Sequence, residues 1–151
     1  GAAMAPLSPP NIIASVILAE SAQVAEGKLF LLGGGLAILP SQPKPISLAL
    51  LLQVPWDRAE ERLDWVCELL DEDGVPVLVG ERPVMVNGQF QAGRPPSWPE
   101  GAPLSVPIAI NFSALPLQAG RRYTWRLVID GSTEPEWQTS FSVANPPERP
   151  A

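Results

Sequence analysis

The sequence contains no histidine, a single cysteine and a single tyrosine. Without an imidazole the chain cannot build a Ser-His-Asp triad, a Cys-His pair, a histidine-ligated zinc site or a histidine general base. Its one cysteine, Cys67, cannot form an intramolecular disulfide or a four-cysteine metal site. These absences remove most hydrolase mechanisms. We therefore expect a protein that is not an enzyme, uses no metal or cofactor and depends on its apolar core for stability.

Long apolar runs are also missing. The longest one near the start covers residues 12–19 with no preceding Lys or Arg, whereas a bilayer-spanning helix needs about 20 residues. We therefore expect neither a signal peptide nor a membrane anchor. Residues 1–3 before Met4 resemble a cloning remnant. The expected organisation is a disordered Pro-rich tail at 1–11, one folded domain at 12–143 and a disordered tail at 144–151.

Positive charge is scarce, because ten Lys and Arg face 16 Asp and Glu for a net charge of −6. The whole excess lies in residues 57–82, which carry nine acids and three arginines. An acidic surface repels phosphate backbones, so nucleic-acid binding is not expected. A basic protein partner is compatible with this segment, although a solvated face kept acidic for solubility is the favoured interpretation.

The residues that are abundant favour short strands. The chain has 19 prolines, 12 glycines and an apolar content of 46%, and proline disfavours helices because it removes an N–H and clashes with the preceding turn. Val16–Val24 and Lys28–Leu39 are expected to form a β-hairpin, with a helix over residues 12–24 as the competing interpretation. The triplet Gly33, Gly34 and Gly35 predicts a bulge or bend where another backbone approaches, rather than a phosphate loop.

Alternating apolar and polar residues predict further strands along the chain. An almost wholly apolar run is expected to be central, and one strand containing Pro107 is expected to lie at an edge because proline cannot donate to a ladder. In order, the predicted features are a central strand at 46–54, a strand at 63–70, a turn at 71–74, a strand at 75–79, a strand at 84–91 broken by a turn at Asn87-Gly88, a loop at 93–103, an edge strand at 104–112 and a hairpin at 122–143.

Eight or nine strands with frequent turns predict an all-β, immunoglobulin-like antiparallel two-sheet sandwich. Gly120 shortly before Tyr123 at a strand start is similar to the tyrosine corner of immunoglobulin-like domains, in which the phenol hydrogen-bonds to the preceding loop. Trp65 is expected between the sheets without the usual disulfide, and Trp125 is a second structural position on the C-terminal hairpin.

Five segments carry turn and core patterns: residues 18–22, residues 27–35, Val54-Pro55-Trp56, residues 69–74 and residues 120–129. Together they resemble an uncharacterised bacterial family of single-domain proteins, over about residues 13–143. The resemblance implies a known arrangement without an established role. It carries over no catalytic residue, and it implies a bacterial, intracellular setting.

Two groups of residues are candidates for interaction. Trp56 and Trp98 each adjoin a proline in a predicted loop, where an exposed indole can stack on a sugar or anchor a partner, and a buried one would cap the end of the sandwich. Leu51, Val66 and Leu70 are apolar on strand faces opposite the core. They suggest either a covering loop or a subunit interface, and the interface is favoured.

The function expected from the sequence is a non-catalytic protein-interaction or structural module that self-associates in a bacterial cytoplasm. The partner would be an unidentified protein or a second copy, with no nucleic acid and no membrane. The alternative is a small-ligand or carbohydrate-binding domain that uses Trp56 and Trp98.

Overall fold

The computed structural model describes residues 11–148. The tail expected at 1–11 lies outside the described residues except for residue 11. Of the tail expected at 144–151, residues 149–151 lie outside the described residues, and residues 144–148 have no regular secondary structure. A single 3-10 turn occurs at Trp56–Arg58, and no helix within residues 11–148 is long and apolar enough to span a membrane. The strands are β1 (Ile13–Ala25), β2 (Lys28–Gly34), β3 (Ile38–Leu39), β4 (Ile46–Val54), β5 (Arg62–Leu70), β6 (Leu78–Val79), β7 (Arg82–Pro83), β8 (Met85–Gln91), β9 (Leu104–Phe112), β10 (Arg122–Ile129) and β11 (Gln138–Val143).

These strands form two main sheets, which confirms the all-β prediction. The first sheet has the order β2-β1-β4-β9 and the second has the order β3-β11-β10-β5-β8, while β6 and β7 form a small separate hairpin. The predicted central position of β4 and the predicted edge position of the Pro107 strand, β9, are both confirmed. The expected eight or nine strands become 11 in the described chain, because β3 separates from the strand predicted at 28–39 and β7 forms in addition.

The glycine triplet marks the point where the chain leaves the first sheet. Gly33 and Gly35 have φ values of +60° and +81°, a region that residues with a Cβ rarely adopt. After this bend β3 joins the second sheet, where it runs parallel to β11. The expectation of a wholly antiparallel fold is therefore wrong at this pair. The close neighbour of Gly33 is the side chain of Glu20, 2.7 Å from where a Cβ would lie, rather than another backbone.

One core lies between the two sheets. Leu48, Leu50 and Leu52 of β4 point towards it from the first sheet, and Trp125 and Leu127 of β10 meet them from the second. Phe112 of β9 stacks on Trp125 with ring centroids 4.9 Å apart, so aromatic rings join the sheets.

Trp65 of β5 is buried, as expected, and it explains an error in the prediction for the neighbouring strand. Asn87-Gly88 was expected to be a turn, but β8 continues through it and pairs Gly88 with Trp65. A Cβ at Gly88 would lie 2.8 Å from two carbons of the Trp65 indole. Gly88 is therefore present because the indole occupies the space that a side chain would need, not because the backbone turns.

Tyr123 lies at the start of β10 and is buried. The backbone N–H of Gln118 donates to its phenolic oxygen over 3.0 Å, so the hydrogen bond expected for Tyr123 is present. Gly120 lies in the intervening loop with φ of +77°, and its N–H donates to the carbonyl of Val143. The loop before β10 is thus tied both to Tyr123 and to the end of β11.

Candidate interaction surface

The outward-facing positions of the first sheet carry a single ionisable side chain, that of Lys28, the first residue of β2. Strand alternation and the pairing of β1 with β2, β4 and β9 place these positions on one face, which we call the uncharged face. Lys28 pairs with Ala25 at the end of this face, beside the β1–β2 turn, and these two residues are not counted in the uncharged face. The face consists of Ile13, Ser15, Ile17, Ala19, Ser21, Gln23, Phe30, Leu32, Ser47, Ala49, Leu51, Gln53, Ser105, Pro107, Ala109 and Asn111.

The outward face of the second sheet is different, although it belongs to the same small protein. It carries five charged residues, and one ion pair crosses it, in which Nε and Nη2 of Arg126 both donate to Oε1 of Glu68. Charged and polar side chains are what a water-exposed sheet face ordinarily shows. The uncharged face therefore departs from the pattern that the same chain follows elsewhere. The charged residues of the second face are Arg62, Asp64, Glu68, Arg122 and Arg126.

Large apolar side chains project from the uncharged face into solvent. Leu32 is 72% exposed, Ile13 is 63% exposed and Phe30 is 53% exposed. Phe30 and Leu32 lie on β2, which pairs with β1 alone among the described strands and is an edge of the sheet. Beside them, across from Ser21 and Gln23, is a shallow depression. Burying these side chains against a partner would remove from water the apolar surface that they now expose, which is favourable.

Small residues form the middle of the uncharged face. Ala19, Ala49 and Ser47 are buried even though their alternation points them outward. The Ser47 hydroxyl donates to Oδ1 of Asn111 on the adjacent β9, so its polar atom has a partner. The side chains at the centre of the face are consequently small, and the Ser47 hydroxyl does not require water as a partner.

The three aliphatic residues predicted as one interface group do not lie together. Leu51 is half-buried on the uncharged face, whereas Val66 and Leu70 lie on the outward face of the second sheet. Leu70 is buried, with an exposure of 6%, and it bridges to Pro76 in the segment after the 71–74 turn. For Leu70 a covering segment of the same chain is present, so the favoured interface interpretation is wrong at this residue.

The two candidate tryptophans occupy different environments. Trp56 packs against the core, and the guanidinium of Arg94 lies 4.7 Å from its ring centroid while donating to its carbonyl oxygen. Trp98 is 42% exposed in the 93–103 loop, and its indole N–H donates to the carbonyl of Pro103. Trp56 therefore has the capping environment, and Trp98 retains an open ring face.

Cys67 lies on the inward side of β5 and is fully buried. Burial raises the pKa of its thiol from 9.0 to about 12, and the nearby carboxylate of Glu68 adds to the rise. A thiol with a raised pKa is a poor nucleophile near neutral pH, because the thiolate is the reactive form. Cys67 is thus a small apolar side chain of the core.

Sequence reasoning missed Phe30, Leu32 and Ile17 as surface residues of interest. The signal for them was charge scarcity, because residues 29–43 and 101–120 contain no charged residue at all. These runs supply most of β2 and all of β9, the two edges of the first sheet.

Residues 14–144 match the model of a family described as a family of unknown function, DUF6941. The chain belongs to the DUF6941 family. This agrees with the uncharacterised family that the motifs resembled over residues 13–143. No curated protein and no solved structure matches the chain. Within the DUF6941 match lie all 11 described strands except the first residue of β1, so the match spans both sheets.

Proposed function

We propose that this protein is a non-catalytic interaction module that self-associates by packing the uncharged faces of two copies against each other. The observation that carries the proposal is the contrast between the two outward sheet faces, one with a single lysine at its end and one with five charged residues. A face that packs on itself in a two-fold pair meets the same residues across the interface. Because the residues of the uncharged face include no ionisable side chain, packing two of these faces together buries no unpaired charge.

The overall charge supports the choice of this face. Each copy has a net charge of −6, so two copies repel one another wherever their charged surfaces approach. The uncharged face lets apolar side chains such as Leu32 and Phe30 meet without adding close like-charge contacts. Association through this broad face therefore brings few like charges together.

The size of the face is sufficient for association. Four strands about 4.8 Å apart and about 30 Å long cover roughly 570 Å², so a pair of copies would bury roughly 1,100 Å². A specific interface generally needs about 1,000 Å² in total. The face is therefore large enough for a reversible dimer, and it lies near the lower limit for a stable one.

Charge insertion tests the proposal. Leu32→Glu places a carboxylate on the exposed edge strand and removes an apolar side chain on each of the two copies. Burying one leucine contributes about 1.5–3 kcal/mol, so losing two should weaken dimerisation by at least about 100-fold. Light scattering after size exclusion, over a range of protein concentrations, measures the change against the 16.2 kDa mass of one chain.

A matched control variant is available on the other sheet. Asn87→Glu adds the same charge at an exposed, outward position of β8, which is the edge of the second sheet. It should leave the dimer unchanged. Equal weakening by Asn87→Glu and Leu32→Glu would show that net charge, and not the uncharged face, governs association.

We also infer a finer fold class and a location from the same residues. The Tyr123 hydrogen bond to the loop before β10 and the buried Trp65 between the sheets support an immunoglobulin-like sandwich, modified by the parallel β3–β11 pair. The free, buried Cys67 is compatible with a reducing bacterial cytoplasm. The absence of histidine from the sequence supports a non-catalytic role.

A further inference from the structure

A narrow apolar pocket opens at one end of the core, away from the uncharged face. Its floor is formed by Trp125 and Phe141, which are almost fully buried, and Leu39 and Leu117 contribute to its sides. The free space is about 40 Å³. A cavity needs about 10–15 Å³ of free space to hold one water molecule, so this pocket has room for roughly three waters or for a short hydrocarbon chain.

The rim of the pocket is a proline-rich loop at residues 40–45, which connects β3 with β4. Pro40, Pro43 and Pro45 supply no N–H, and no backbone–backbone hydrogen bond involves residues 41–45. The loop is therefore stiffened by its prolines but is not tied to the strands beside it. A small displacement of this loop would widen the entrance without breaking the sheets.

The charge at the rim has one sign. Lys44 lies in the pocket lining and takes part in no ion pair among the described residues, and the lining contains no Asp or Glu. Ser41 and Gln42 add further hydrogen-bond donors to the same rim. An apolar floor with donors and one cation at the mouth is complementary to a molecule with a hydrocarbon end and an anionic end.

We propose that this pocket binds a short aliphatic carboxylate, whose hydrocarbon chain lies over Trp125 and Phe141 and whose carboxylate pairs with Lys44 at the rim. A primary amine would place like charge beside Lys44, and a polar sugar would leave its hydroxyl groups unpaired against the apolar floor. This site is independent of the uncharged face, which lies on the outward side of the first sheet.

The test is a titration with butyrate, hexanoate and octanoate, followed by the NMR signal of the Trp125 indole N–H. Each added methylene group that enters the pocket should tighten binding about fourfold. The gain should stop once the chain outgrows the space, and affinities in the millimolar range are expected for so few buried carbons. Absence of a shift at Trp125 with all three acids would overturn the proposal.

The two lysines of the chain provide a matched pair of variants. Lys44→Gln should reduce the affinity for hexanoate to that for hexanol and leave hexanol binding unchanged. Lys28→Gln removes the same charge beside the β1–β2 turn, outside the pocket, and should change neither. An equal loss of hexanoate affinity in both variants would refute the assigned role of Lys44. So would hexanol binding to the unmodified protein as tightly as hexanoate does.

Leu117→Phe tests the apolar part separately by filling the space beside the floor. It should abolish binding of both the acid and the alcohol while the protein keeps its cooperative unfolding transition. Unchanged hexanoate binding in this variant would place the ligand elsewhere and contradict the proposal.

Discussion

Replacing Gly88 with alanine should destabilise the protein through a single neighbour, the indole of Trp65. The new Cβ would lie 2.8 Å from Cε2 and Cζ2 and 2.9 Å from Nε1 of that ring. Ordinary contacts of a Cβ begin at 3.4 Å, so the ring or the β8 backbone must move by several tenths of an ångström. Trp65 is only 7% exposed and packs in the core, which leaves it little room to move.

The size of the effect follows from two opposing contributions. Overpacking of a buried site costs about 1–3 kcal/mol, while replacing glycine by alanine returns about 0.4–1 kcal/mol by restricting the unfolded chain. A net loss of about 1–2 kcal/mol in the free energy of unfolding is expected. For a domain of this length each 1 kcal/mol lowers Tm by about 2–4 °C, so both urea and thermal unfolding would detect it.

Gly93→Ala is the control for this prediction, because a Cβ at Gly93 meets nothing within 4 Å and its φ is not positive. It shares the unfolded-state gain and lacks the collision, so it should be neutral or stabilising. In a Trp65→Phe background the cost of Gly88→Ala should shrink, since a phenyl ring occupies less of the space beside β8. The reasoning would be refuted if Gly88→Ala changed the free energy of unfolding no more than Gly93→Ala does. It would also be refuted if the loss caused by Gly88→Ala were the same in the Trp65→Phe background.

Three further predictions concern single residues of the second sheet and its loops. Tyr123→Phe should lower the free energy of unfolding by about 1 kcal/mol through loss of the Gln118 hydrogen bond, and an unchanged urea midpoint would contradict this. Gly120→Ala should cost about 1–2 kcal/mol in the same assay, because its φ of +77° disfavours a Cβ and Oδ1 of Asn145 would lie 2.8 Å from it. The pKa of the Cys67 thiol is 9.0 in the unfolded chain and about 12 in the folded protein. The buried neutral thiol therefore makes its full contribution to the free energy of unfolding below about pH 9, and this contribution falls by about 1.4 kcal/mol per pH unit as the pH rises towards 12. In urea unfolding, Cys67→Ala should lack this pH-dependent decrease in the free energy of unfolding. An equal decrease at alkaline pH in both proteins would contradict the burial of the thiol.

The sequence predicted those parts of the fold that depend on local alternation and on turn residues. The period of two in 63–70 and 122–129 placed Trp65 and Trp125 correctly, and the apolar run at 46–54 indicated an inner strand. These patterns succeed because one face of each strand must be buried.

Features that depend on distant pairs could not be predicted in this way. Gly88 has the local signature of a turn, and its real role appears only when Trp65 lies opposite on β5. The crossing of β3 to the second sheet likewise depends on β11, about a hundred residues later in the chain. Leu70 is a different case, because the segment that covers it, around Pro76, follows directly after the predicted 71–74 turn, and the alternation of 63–70 alone does not show that this segment folds back over Leu70.

For the candidate surface, sequence alternation identified Leu51 but not the face to which it belongs. That face becomes visible once β1, β2, β4 and β9 are placed side by side, because its members come from four separate segments. The scarcity of charged residues in these segments, which include only Glu20 and Lys28, was visible in the sequence, whereas the accumulation of uncharged residues on one face was not.

The most direct test of the central claim is sedimentation equilibrium of the unmodified protein as salt is raised. From about 0.1 M to about 1 M salt the screening length falls from about 10 to about 3 Å, which weakens repulsion between copies that each carry a charge of −6. Because the uncharged face forms no ion pairs across the interface, dimerisation should become tighter or stay constant with salt. A dimer that weakens as salt rises, or a mass of 16.2 kDa at every concentration and salt, would contradict self-association through this face.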